Sequence, residues 1–115
     1  MRYQLKIITD EGSMSMNTSK LETPKIGDII REEFLEPLGL TPYRLSKEIH
    51  VSTSSVLDLI HNRRKISVEM ALRLSRYFGN SSKFWLNLQN ELDIRETSIK
   101  LSDELNNIKL NVHTA

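Results

Sequence analysis

"LSKEIHVSTSSVLDLIHNRR", residues 45–64, reads as two short helices that meet at a corner and are followed by a run of cations, Arg63, Arg64 and Lys65. Leu45 with Ile49 gives one buried stripe; Val56, Leu59 and Ile60 give a second, both at helical spacing. A helix-turn-helix needs two short helices crossing steeply over a turn of three or four residues, with small side chains where they approach. Ser46 supplies the small side chain, Val51 an apolar plug after the corner, and Ser52 an N-cap for the second helix. The corner itself falls on His50, where glycine is the usual residue. Positive φ costs a residue with a Cβ about 1 kcal/mol, and His, Asn and Asp are the types enriched there, so His50 is expected to be tolerated.

Working outward, Ile26, Ile29, Ile30 and Phe34 recur at helical spacing, and Glu36-Pro37 with Leu38-Gly39 supplies stop signals. Thr41 followed by Pro42 is a good start for the helix that carries Leu45. Asn62 is expected to end the helix after the corner, being the best non-glycine residue at a left-handed C-terminal position. Ser67 opens a fourth helix whose inward face is expected to be Val68, Ala71, Leu72, Ser75 and Phe78, broken by Gly79-Asn80. Ser81 or Ser82 caps a fifth, carrying Phe84, Trp85, Leu88 and Leu92. Beyond it, Leu101, Leu105, Ile108 and Val112 keep helical spacing, while Ile108, Leu110 and Val112 also alternate as a strand would; both readings stay open.

The expected fold is all-α: five helices in one small domain over residues 23–95, an N-terminal extension and linker over 1–22, and an additional C-terminal segment over 96–115 that could pair two copies. Within the extension, "YQLKII" at 3–8 alternates like a short strand, and Met14 and Met16 are alternative starts.

A chain of 115 residues has room for one core and little for an enzyme cleft as well. The formal net charge is +1, far from the balance of a protein that coats nucleic acid indiscriminately, so any DNA contact is expected as a local patch. Cysteine is absent, which removes disulfides and thiolate metal sites and is compatible with a reducing cytoplasm, the expected location. No apolar run approaches the roughly 18 residues of a membrane span. No serine stands with a base and an orienting acid, and Glu32, Glu33, His50 and His61 read as helix surface and corner, so neither catalysis nor a metal or cofactor is expected.

The second helix of the corner would lie in the major groove with its N-terminal residues at the base edges. Those residues are Thr53, Ser54 and Ser55, with Asp58 one turn on. Hydroxyls make none of the bidentate pairs of Arg with guanine or Asn with adenine, which favours phosphate contacts, water and DNA shape as sources of specificity. Asp58 is out of place beside phosphate unless it accepts from cytosine or pairs with a neighbouring cation. Arg63 and Arg64, with Lys65, and Arg44 and Lys47 on the preceding helix, are the expected phosphate contacts. Neutralising about four or five phosphates per subunit predicts roughly fourth-power salt dependence.

"IGDIIREEFLEPLGLTPYRLSKEIHVS" (26–52) and "ALRLSRYFGNSSKFWLNLQNELDIR" (71–95) resemble the HigA antitoxin family, a branch of the lambda-repressor-like (Xre) helix-turn-helix proteins, without a gap from about Pro24 to Arg95. The pairing of "REEFLEPLGL" with the aromatic helix is far more specific than a helix-turn-helix alone. The resemblance implies a bacterial antitoxin of a type II toxin-antitoxin module: a homodimer that represses its own operon by binding operator DNA, and that binds a HigB, RelE-like toxin which cleaves translated mRNA. It places recognition positions on Ser52 to Ser55 and Asp58 and the basic loop on Arg63 and Arg64. This chain departs from the family at His50 and Asn62, where glycine is usual. The alternative reading is a plain Xre-type regulator, or a partner-masking module, without a cognate toxin.

Overall fold

The structure is a computed structural model that describes residues 23–112. The expected strand at 3–8 and the rest of residues 1–22 lie outside the described residues. Among those described, six helices and no strand are found.

Helix α1 (Ile26–Ile29) runs without a break into a π-helical segment (Ile30–Leu35), in which the Glu36 N–H donates to the carbonyl of Arg31, five residues back, at 2.9 Å. Gly39, at φ 62°, turns the chain so that the Leu40 N–H returns to the Leu35 carbonyl at 2.9 Å. Four more helices follow: α2 (Pro42–Ile49), α3 (Thr53–Ile60), α4 (Val68–Phe78) and α5 (Ser82–Lys100). Each starts the same way, with the hydroxyl of Thr41, Ser52, Ser67 or Ser81 accepting from a backbone N–H three residues on. Such a cap satisfies one orphan donor and stabilises a helix by about 1 kcal/mol. Ser81, rather than Ser82, is the cap of α5.

Helix α4 is turned differently from the expectation. Met70, Ala71 and Leu74 are buried, whereas Val68 and Leu72 are 62% and 54% exposed and Ser75 is half-buried. Two apolar sets share Ala71, and the one carrying Leu74 and Phe78 meets the aromatic core. Helix α5 continues through Arg95 to Lys100, and a short α6 (Ser102–Asn106) follows. The strand alternative for the tail is not realised, since residues 108–111 belong to neither helix nor strand.

Trp85 sits fully buried at the centre of the core, its ring 4.7 Å from Phe34 and 5.1 Å from Phe84, while Phe34 meets Phe78 edge-on at 5.2 Å. Its indole N–H donates to Asn80 Oδ1 at 2.9 Å, so the largest buried side chain leaves no polar atom unsatisfied. Around this cluster α1 packs on α3 and α5, α2 on α3 and α4, and α4 on α5. The helix-turn-helix is thereby clamped from both sides. The described residues span 53 × 28 × 23 Å, the long axis reflecting a tail whose apolar residues Leu105, Ile108 and Leu110 stay exposed. No helix among them is long and apolar enough to cross a membrane.

Candidate nucleic-acid interface

The corner forms as the residue types demand. His50 ends α2 at φ 63°, ψ 48°, the left-handed conformation, and the Val51 N–H reaches back to the Ser46 carbonyl at 3.0 Å. Arg73 of α4 steadies the turn from outside, its guanidinium donating to the carbonyls of Ile49 at 2.8 Å and His50 at 3.2 Å. Ser46 is fully buried where α2 and α3 approach, and its hydroxyl donates to the Tyr43 carbonyl at 2.6 Å. Thr53 Oγ1 lies 3.1 Å from the same hydroxyl.

The buried side of α3 is Val56, Leu59 and Ile60. Ser54 and Asp58 are four residues apart and Ser55 and Asp58 three, so these share the opposite side of the helix. Ser52 Oγ gathers the hydroxyls of Ser54, at 3.2 Å, and Ser55, at 2.8 Å, around the cap it makes with the Ser55 N–H. Of the four hydroxyl residues expected at the reading positions, Thr53 is thus turned toward α2, and the other three form one polar tip at the start of α3.

At the other end of the helix, Asp58 binds both arginines of the basic loop. Its Oδ1 accepts from Arg63 Nε at 3.1 Å, and Oδ2 lies 3.5 Å from Arg64 Nη2. Asp58 therefore has the neighbouring cations that its position needs. The third cation of the loop, Lys65, is tied to α5 instead, donating to Asp93 Oδ1 at 2.7 Å. Arg44 stands apart from this cluster on α2, exposed and bonded to Glu48 at 2.6 Å; that hydrogen bond, followed by the charge of Glu48, raises its pKa above the ordinary arginine value. Lys47 lies over the Tyr43 ring, 5.1 Å from its centroid. The surface around α3 therefore combines a hydroxyl tip, an exposed basic loop pre-arranged by one carboxylate, and two further cations on α2. Such a surface suits a polyanion read through its backbone.

Two residues that hold this surface in place are easily missed in the sequence. Asn62, at φ 62°, ends α3 as expected, but its side chain also accepts from the Gly27 N–H at 2.7 Å and donates to Asp28 Oδ1 at 3.3 Å, locking the start of α1 to the end of α3. The glycine inside a helical pattern was the available signal, since it marks close backbone approach. Gln89 is buried on α5; it accepts from the Ile66 N–H at 3.1 Å and donates to Asp93 at 3.2 Å, so the basic loop is hung from α5 by its backbone and by Lys65. Among the described residues no group of three His, Asp or Glu side chains is placed to hold a metal.

The fold is shared with known proteins. Residues 30–86 match the helix-turn-helix family. The uncharacterized HTH-type transcriptional regulator YbaQ of Escherichia coli is 42% identical, over 84% of this chain and 85% of its own length. Virulence-associated protein I of Dichelobacter nodosus is 38% identical, over 84% of this chain and all of its own. Among solved structures, the Pseudomonas aeruginosa antitoxin HigA with the higBA promoter superposes with a TM-score of 0.71 at 34% identity, covering 76% of this chain and 97% of that one.

Proposed function

The chain belongs to the Xre-type helix-turn-helix family that includes the HigA antitoxins, and from that premise we propose that it represses its own operon and neutralises a HigB, RelE-like mRNA-cleaving toxin. The DNA-binding half rests on the polar outer side of α3 beside the Arg63–Arg64 loop, in a fold close to that of an antitoxin solved with promoter DNA. Ser52, Ser54, Ser55 and Asp58 then face the major groove, and Arg44, Arg63 and Arg64 the phosphates. Thr53 contributes by fixing α3 against α2. Two-fold operators place half-sites about 34 Å apart, so the active form is a homodimer, for which the apolar residues Leu101, Leu105 and Ile108 are the candidate anchors. A protein with these nucleic-acid and toxin partners would act in the cytoplasm.

A gel shift on the chain's own upstream DNA tests the first half. Wild type is expected to retard it in preference to random duplex, and Arg63→Ala/Arg64→Ala to weaken binding at least tenfold and flatten the salt slope by about two per subunit. Equal retardation of upstream and random DNA would overturn specific repression. Co-expression with the adjacent reading frame tests the second half: growth arrest by that frame alone, relieved by this chain, is the expected result. A second reading, a plain regulator without a toxin, is favoured by the likeness to YbaQ, itself an uncharacterized HTH-type transcriptional regulator. Absence of any toxic neighbour would favour it.

A further inference from the structure

The carboxylate of Asp58 stands where three considerations disfavour it. It occupies the last turn of α3, where a negative charge opposes the helix dipole. It shares the outer side of α3 with Ser54 and Ser55, so on the proposed reading it faces a polyanion. It also withdraws one charge from the two guanidinium groups best placed to bind phosphate. Its side chain is one third exposed, and neither oxygen helps to bury the core. What it does is hold Arg63 by Oδ1 and Arg64 by Oδ2, two residues that follow α3 on an exposed loop and have no other fixed partner for their guanidinium groups among the described residues.

We infer that Asp58 is a specificity-determining positioning residue: it aims Arg63 and Arg64 at one spacing of phosphates and lowers their attraction for every other. This rests on the DNA-binding reading above. Non-specific binding depends on how many cations can find phosphates, wherever these lie, and grows with net charge. Specific binding depends on cations held where the operator's phosphates lie once α3 is seated. A carboxylate shared between two arginines acts oppositely on the two. It subtracts from the first by its charge and adds to the second by removing the rotamer freedom that two long side chains would otherwise lose on binding. On the cognate site the arginines exchange part of their bond to Asp58 for phosphate oxygens they already face. On other DNA the same exchange also requires them to reorient.

The test is a salt-titrated binding measurement of wild type, Asp58→Asn and Asp58→Glu on the upstream duplex and on a random duplex of equal length, with thermal melting of each variant alongside. Asp58→Asn is expected to bind random DNA about fivefold more tightly at near-physiological salt, with a steeper salt slope, and to gain nothing on the upstream duplex. The ratio of the two affinities therefore falls about fivefold or more. Asp58→Glu, which keeps the charge and can still reach the arginines, is expected to recover most of that ratio, an outcome that a role in stability alone would not produce. An upstream-to-random ratio that is unchanged or higher in Asp58→Asn would overturn the inference. So would a fallen ratio that tracks a loss of folded protein in the melting curves. If wild type itself fails to distinguish the two duplexes, the repressor reading falls first and the role of Asp58 falls with it, a result separable from selective wild type with an equally selective variant.

Discussion

His50 shows how much one residue type says about a backbone. Its left-handed φ of 63° was legible because the corner of a helix-turn-helix needs that conformation and because histidine is among the few types that accept it. Asn62, at φ 62°, was legible for the same reason. The other half of Asn62, its bond to Gly27, was not, since a hydrogen bond across 35 residues leaves no local pattern. The His50 side chain is exposed and its carbonyl bond to Arg73 does not depend on the imidazole. His50→Gly is therefore expected to keep the fold and raise stability by up to about 1 kcal/mol, the relief of strain being partly offset by the freer unfolded chain. Urea denaturation measures it, and a clear loss of stability would show that the imidazole contributes more than its backbone conformation.

At the scale of helices, the sequence defined where each begins better than how each is turned. N-caps are local chemistry, and the starts of α2 to α5 followed from single hydroxyl residues. The rotation of α4 was not local. Val68 with Leu72 and Met70 with Leu74 are equally good helical pairs, and only contact with the aromatic core selects the second. The π-helical segment left no mark in residue spacing at all. The tightest requirement between helices falls on Gly27. A Cβ there would stand 2.5 Å from the Leu59 carbonyl oxygen, 2.6 Å from that of Ile60 and 2.6 Å from Asn62 Oδ1. Two of those atoms are backbone and cannot yield by a rotamer change. Gly27→Ala is expected to force α1 away from α3 and cost about 2–3 kcal/mol or more, despite alanine's better helix propensity. Calorimetric melting should show a drop of several degrees; a stabilised variant would mean that α1 does not sit this close.

For the molecule as a whole, fold class and the location of the candidate site were legible because the corner, its caps and the aromatic helix all agreed. The C-terminal region was ambiguous because its periodicity fits helix and strand alike, and few tertiary contacts exist to decide it: α6 packs on α5, and its residues stay exposed. Leu101 and Leu105, 42% and 44% exposed, face solvent beside Ile108. If these are the anchors of a homodimer, Leu101→Glu/Leu105→Glu is expected to yield monomers in sedimentation equilibrium, with an unchanged helical spectrum and a weaker, single-half-site footprint on DNA. A dimer that survives the double substitution would move the interface elsewhere.

The division of labour within α3 also bears on how the protein can change over generations. Val56, Leu59 and Ile60 hold the helix in the core, and Ser52 caps it, whereas the side chains of Ser54 and Ser55, among the described residues, hydrogen-bond to the hydroxyl of Ser52 alone. Substitutions at positions 54 and 55 thus leave the buried residues of α3 in place and act on the fold through their bonds to the Ser52 cap. On the proposed DNA-binding reading, duplicated copies would diverge in the DNA they prefer by substitutions at those two positions while inheriting the same buried scaffold.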